Sequence, residues 1–271
     1  MYGNVYVLQN NCYFCAVYQL FIKEKMCMKK IFCIMAMAAV MVSGCHAAQK
    51  KDEFTTKSGK KVTITCIRHA SMEINYDGFE IQVDPVGMLQ NVMIDYNQFP
   101  KANIILVTHE HKDHFDREAI ACVRTPATII YVNNAVYNMF RHGLTMKNGD
   151  KITYRDDITI EAVPAYNTTE GHEQFHPKGR DNGYVLTLDG LRIYIAGDTE
   201  DIPEMADLKD IDIAFLPCNQ PYTMTVEQLV KAAKTISPKV LFPYHYSETP
   251  ISKAVLQLAG SGIDIRIRDY K

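Results

Sequence analysis

The segment NIILVTHEHKDHFD, residues 103–116, runs from a β-branched apolar block straight into three histidines and two aspartates. A continuous run such as NIILVT is expected of a strand covered on both faces, and Asp116 is placed to cap a following helix. In an extended chain His109, His111 and Asp113 point the same way, because side chains alternate with period two. The turn into the helix then swings His114 toward the same cavity. Imidazole and carboxylate donors at this density suit zinc or a similar divalent ion. A solvated loop with chance histidines is the plain alternative, and the buried strand leading into the cluster weighs against it. The HExxH zinc helix fails because its second histidine would fall at Asp113.

Upstream of this segment, VTITCI, SMEINYD and FEIQVDP alternate apolar and polar residues, with Asp77 and Gly78 in the turn of a hairpin. Downstream, TIIYV, ITIEAVPA, GYVLTLD, LRIYIAGD, IDIAFLP, VLFPYH and IDIRIRD read as further strands. The clearest helix spans Thr225 to Lys234. There Thr225 and Gln228 form a capping box, and Val226, Leu229, Val230 and Ala233 share one face. Thr249 before Pro250 opens another helix. Hairpins followed by strands mixed with amphipathic helices predict an α/β (α+β) domain over residues 62–271, two sheets with helices outside. No internal sequence repeat of fixed period is present.

The 271 residues, 47% hydrophobic and 22% charged, are balanced as a folded protein with one substantial domain. A net charge of -2, with no Lys/Arg block beyond the N-terminus, gives no electrostatic reason for a nucleic-acid partner. Cys12, Cys15, Cys27, Cys33 and Cys45 crowd before residue 46, which is not the spacing of a disulfide framework. Residues 28–45 carry the order of a signal peptide: Met28, Lys29 and Lys30, the apolar run IFCIMAMAAVMV, then Ser43, Gly44 and Cys45. That run is shorter than the roughly 20 residues a membrane-spanning helix needs. VSGC resembles a bacterial lipobox. The resemblance makes Cys45 the lipid anchor and predicts an exported cell-envelope lipoprotein, held to the membrane through that anchor only and facing away from the cytoplasm. Residues 1–27 then stand upstream of a start at Met28, and the polar segment 46–61 reads as a tether.

THEHKDH resembles the HxHxDH signature of the metallo-β-lactamase fold superfamily. Further pieces follow in family order: GHEQFHPKG with His172 or His176, AGDT with Asp198, and FPYHYSE with His245. The resemblance spans residues 62–271 and implies a four-layer αββα sandwich with its site at one edge of the sheets. PAYN, FHPKG, GYVLTLDG, IYIAGDT and CIRHASMEI followed by VDP resemble the branch of L-ascorbate-6-phosphate lactonase and N-acyl-phosphatidylethanolamine phospholipase D. In that family one ion is held by the counterparts of His109, His111 and His176 and a second by those of Asp113, His114 and His245, with Asp198 bridging. The resemblance therefore implies a metal-dependent hydrolase with two divalent ions, zinc or manganese. It further implies that ions so held would activate water toward an ester, lactone, amide or phosphodiester bond, with Asp113 and His114 as catalytic residues.

Many members of the superfamily place the third histidine directly after a PA dipeptide, whereas this chain has Tyr166 and Asn167 there. His176, in HPKG just before GY, is the preferred ligand, with His172 as its rival or as a substrate contact. Tyr166, Asn167 and His69 are candidates for supporting or substrate roles, with plain structural roles as the alternative, and Asp84 before Pro85 reads first as a plain turn, with fixing a loop near the metals as the alternative. A small-molecule or lipid-like substrate is expected. A phospholipase D-like phosphodiesterase and a surface lipoprotein that binds metal without turnover are the competing readings. A flavodiiron oxidoreductase is disfavoured because the motif's second position is His111 rather than Glu.

Overall fold

The computed structural model describes residues 50–270. Its first sheet opens as an antiparallel meander of β1 (Lys51–Thr55), β2 (Lys61–Arg68), β3 (Ser71–Tyr76) and β4 (Phe79–Val83). The hairpin expected at Asp77-Gly78 joins β3 to β4, and Asp77 takes a left-handed φ of 49° that its short polar side chain tolerates. A separate two-stranded hairpin, β5 (Met88–Leu89) with β6 (Val92–Met93), turns through Gln90 and Asn91, both at positive φ. The first sheet then continues in parallel through β7 (Ile104–Leu106), β8 (Ile129–Val132) and β9 (Leu144–Thr145), with helices α1 (Arg117–Val123) and α2 (Asn134–Phe140) between them.

The second sheet repeats this plan. An antiparallel meander of β10 (Lys151–Arg155), β11 (Ile158–Ala165), β12 (Asp181–Leu188) and β13 (Leu191–Ile195) is extended in parallel by β14 (Ile213–Pro217), β15 (Val240–Tyr244) and β16 (Asp264–Ile265). Helices α3 (Val226–Ile236) and α4 (Ser252–Gln257) lie between the parallel strands in sequence. Thr225 caps α3 with both arms of the predicted capping box formed.

Strand β7 shows why the layers stack. Ile104 and Leu106 enter the large apolar cluster shared by the two sheets, α3 and α4, whereas Ile105 enters a second cluster with Ile120 and Val123 of α1 and Val136 of α2. One strand thus joins two apolar layers, as a β-branched run covered on both faces must. Two sheets flanked by helices is the architecture the sequence predicted.

The folded body begins earlier than the tether expected over residues 46–61 allows. Lys51–Thr55 pairs in register with β2, and the inward-facing Asp52 is held by Arg266 at 3.0 Å and by Arg268 at 2.7 Å. The segment escaped the hydrophobic pattern because one of its inward residues is a carboxylate, neutralised by two guanidiniums more than 200 positions away. The expected upstream extension, the signal peptide with Cys45, and residues 46–49 lie outside the described residues.

Candidate metal centre

Strand ends from both sheets meet at one place, as ligand sites of α/β sheets commonly form beyond the carboxyl ends of strands. The first sheet supplies His69 after β2, Asp84 after β4 and His109 after β7, and the second supplies Asp198 after β13 and His245 after β15. Gly197 makes Asp198 reachable. Its φ is 66°, and a Cβ there would stand 2.8 Å from the Asn182 carbonyl oxygen.

The convergence of the HxHxDH residues has a different cause from the one expected. Strand β7 ends at Leu106, and His111 to His114 fold as a turn closed by the His114 and Phe115 amides donating to the His111 carbonyl at 3.0 and 2.8 Å. The turn, rather than the alternation of an extended strand, gathers the side chains.

Among the described residues the donors fall into two separate groups, His109, His111 and His176 in one and His69, Asp113, His114 and His245 in the other, and a third group of His109, His114 and Asp198 links them, the ligand atoms of each lying within 4.8 Å of one another. Asp198 stands between them. Its Oδ2 is 3.4 Å from His176 Nε2, 3.8 Å from His109 Nε2 and 3.2 Å from His245 Nε2, and its Oδ1 is 3.2 Å from His114 Nε2.

Behind the imidazoles lies a set of acceptors. Asp84 Oδ2 is 2.8 Å from His114 Nδ1, Asp181 Oδ2 is 2.9 Å from His176 Nδ1, and Thr108 Oγ1 is 3.0 Å from His109 Nδ1. A carboxylate accepting at Nδ1 places the proton there and leaves Nε2 a lone pair. His114 Nε2 and His176 Nε2 therefore aim lone pairs at the Asp198 carboxylate, and both are buried without a hydrogen-bond partner. Lone pair against carboxylate is repulsive unless a cation, either a proton on Nε2 or a metal ion, lies between them. The donor set fits divalent metal on this ground, and the carboxylate–histidine pairs are the arrangement that orients metal-binding imidazoles.

The electrostatics agree. Burial holds the His109 imidazole well below its ordinary pKa, in the neutral form a ligand needs. Burial opposes charge on His245 too, but Asp198 and Asp113 override it and raise the group to about 9. His114 is likewise raised by Asp198 and Asp113 against the effect of burial. Burial would raise Asp198, yet His114 and His245 hold it well below the usual carboxylate range. The carboxylates of the centre thus demand positive charge beside them.

The remaining candidates separate clearly. His176 is completely buried within the first donor group, whereas His172 Nδ1 sits 3.2 Å from Glu200 and belongs to neither group. Asn167 donates to the carbonyls of His172 and Tyr222 and so braces the loop. The Tyr166 hydroxyl donates to Glu204 and accepts from Lys178, and Tyr166 does not line the cavity over the centre. Asp84 corrects the reading of a plain turn: it is fully buried and also accepts from the Thr108 amide and hydroxyl at 2.8 and 2.7 Å. Asp181 and Glu200, which fix His176 and the loop before it, were not singled out in the sequence: Asp181 stands only five residues from His176, whereas the partners of Glu200 are brought to it by the fold.

Above the centre lies a cavity of about 430 Å³. Leu89, Phe175 and Tyr222 give it an apolar wall and Gln90, Asn219 and Ser247 a polar one, and among the described residues no Lys or Arg lines it.

The fold and centre define a class, and comparison with known proteins agrees with it. Residues 63–245 match the model of the β-lactamase superfamily domain. A UPF0173 metal-dependent hydrolase of Ligilactobacillus salivarius is 32% identical over 200 residues, covering 69% of this chain and 86% of that protein. The chain belongs to the UPF0173 metal-dependent hydrolase family of the metallo-β-lactamase superfamily. It is also similar to a crystal structure of a Parabacteroides distasonis protein designated a metal-dependent hydrolase, with 56% identity and a TM-score of 0.79 over 82% of this chain and all of that one. The metallo hydrolase Igni18 of Ignicoccus hospitalis shares the fold at 23% identity, with a TM-score of 0.64 over 77% of this chain and 95% of its own.

Proposed function

We propose that this metal-dependent hydrolase works with two divalent ions, zinc or manganese, and cleaves an ester, lactone, amide or phosphodiester bond in a small-molecule or lipid-like substrate. The observation that carries the reading is the set of buried imidazole Nε2 atoms facing Asp198 from both sides. His109, His111 and His176 would hold one ion, Asp113, His114 and His245 the other, and Asp198 would serve both. Bound there, such ions lower the pKa of a shared water toward neutrality and polarise the reacting carbonyl or phosphoryl group.

The chain's own residues supply position and charge. Asp84, Asp181 and Thr108 fix the imidazole tautomers and ring planes, so that the donors need no rearrangement. The Asp113 side chain is 32% exposed toward the cavity against 3% for Asp198, so Asp113 is the carboxylate within reach of an entering water or substrate. The apolar wall and the lack of Lys and Arg in the lining favour an uncharged ester, lactone or amide over a phosphodiester. The test pairs elemental analysis of protein purified without chelator with a panel of carboxylic esters, lactones, amides and bis-p-nitrophenyl phosphate. A metal content at or below one ion that added Zn or Mn cannot raise, together with no turnover, overturns the reading.

The same reading includes export and attachment to the envelope membrane through Cys45, supported by the ordered basic, apolar and VSGC regions. Palmitate labelling of the wild type that is lost in Cys45→Ser is expected. Equal labelling of the two removes the anchor.

A further inference from the structure

His69 follows a strand of the first sheet and His245 one of the second, yet the two form one unit. The His245 amide donates to the His69 carbonyl at 3.1 Å, their rings stand 3.8 Å apart, and both residues hold left-handed backbone, φ 54° and 48°. His69 is 4% exposed and lines the cavity. Its Nε2 is 3.2 Å from Asp113 Oδ2, just as His245 Nε2 is 3.4 Å from the same oxygen.

Two donors each bound at about 2.0–2.2 Å to one ion, at tetrahedral or octahedral angles, stand about 3–3.5 Å apart. Both separations fall in that range. Resting on the two-ion reading above, we infer that His69 is itself a protein ligand of the second ion. That position is then surrounded by His69, Asp113, His114, His245 and Asp198, against His109, His111, His176 and Asp198 at the first. The two positions thereby become chemically unequal, five protein donors against four.

The competing role for His69 is a hydrogen-bond donor that orients Asp113. The full chain loaded with Zn, crystallised and located by anomalous scattering, separates the two roles. Ligation predicts His69 Nε2 about 2.0–2.2 Å from the second ion. A distance beyond 3 Å, with both ions present, overturns the inference and leaves the two-ion reading standing. No bound ion at all overturns both. In solution, His69→Gln keeps an amide that can donate to Asp113 but is a poor substitute for imidazole on a borderline-soft ion. Chelator competition is expected to show affinity for the second ion falling at least 10-fold in both His69→Gln and His69→Ala, with the first ion unchanged. Wild-type affinity in His69→Gln beside a loss in His69→Ala assigns the hydrogen-bonding role instead. Circular dichroism and the retained first ion show that each variant folds.

Discussion

His69, Asp84 and His245 hold φ of 54°, 43° and 48°. The left-handed region costs a non-glycine residue about 1–2 kcal/mol, and such strain persists where the surroundings impose it. Unlike the hairpin-turn residues Asp77, Gln90 and Asn91, which also hold positive φ, these three face the centre at the end of a strand. Asp84 is the clearest case, since its carboxylate supports His114 and Thr108 together. Asp84→Asn keeps the shape but removes the charge behind His114, so it is expected to weaken the second ion by about 10–100-fold in chelator competition while the fold is retained. Unchanged affinity would return Asp84 to the role of a turn residue. His172→Ala is expected to leave metal content intact, because its ring serves Glu200; loss of an ion in that variant and not in His176→Ala would exchange the two histidines. His109, His111, Asp113, His114, Asp198 and His245 were legible in the sequence because their donor chemistry is packed into short motifs. Asp84 was not. Its partners lie 24 and 30 positions on, and only strand pairing brings them to it.

At the scale of elements, β1 is the instructive strand. The sequence marks α3 plainly, through a capping box and a one-sided apolar face, but it hides β1, whose inward Asp52 breaks the alternation. Burial alone would raise the Asp52 carboxyl, and the Arg268 and Arg266 guanidiniums more than offset that, leaving it below its ordinary value. A carboxyl lowered in the folded state stabilises the protein fully above its unfolded pKa of about 3.9 and loses that contribution as pH falls through the folded value. Asp52→Asn is therefore expected to cost about 1–3 kcal/mol in urea unfolding at pH 7. The gap between variant and wild type should narrow progressively below about pH 4. Equal midpoints at pH 7 would show that β1 adds pairing but no ionic anchor to the C-terminal segment.

Across the whole molecule, each sheet is an antiparallel four-stranded meander continued by three parallel strands, although no sequence repeat betrays it. Topology repeats without sequence because each half needs only period-two apolar patterns, which many residues satisfy. The halves have diverged where they meet: the fourth strand of each meander leads to an aspartate, and Asp84 stands behind an imidazole while Asp198 stands between two donor groups. The centre therefore draws His109, His111, Asp113 and His114 from the first sheet's connections and His176, Asp198 and His245 from the second's. On the two-ion proposal, ions held there would bind the folded state and not the separated halves, which would couple metal content to global stability. At free ion 100 times the dissociation constant, each site contributes about 2.7 kcal/mol, and a domain of this size shifts by about 2–4 °C per kcal/mol. Chelation of two ions is expected to lower Tm by about 10–20 °C, and readdition of Zn to restore it, in thermal unfolding followed by circular dichroism. Asp198→Ala should already unfold near the chelated wild type and respond little to added metal, since its carboxylate faces both donor groups. A wild-type Tm that stays within about 2 °C on chelation, with the ions shown to be gone, would mean that the sheets hold together at this edge through their apolar core alone.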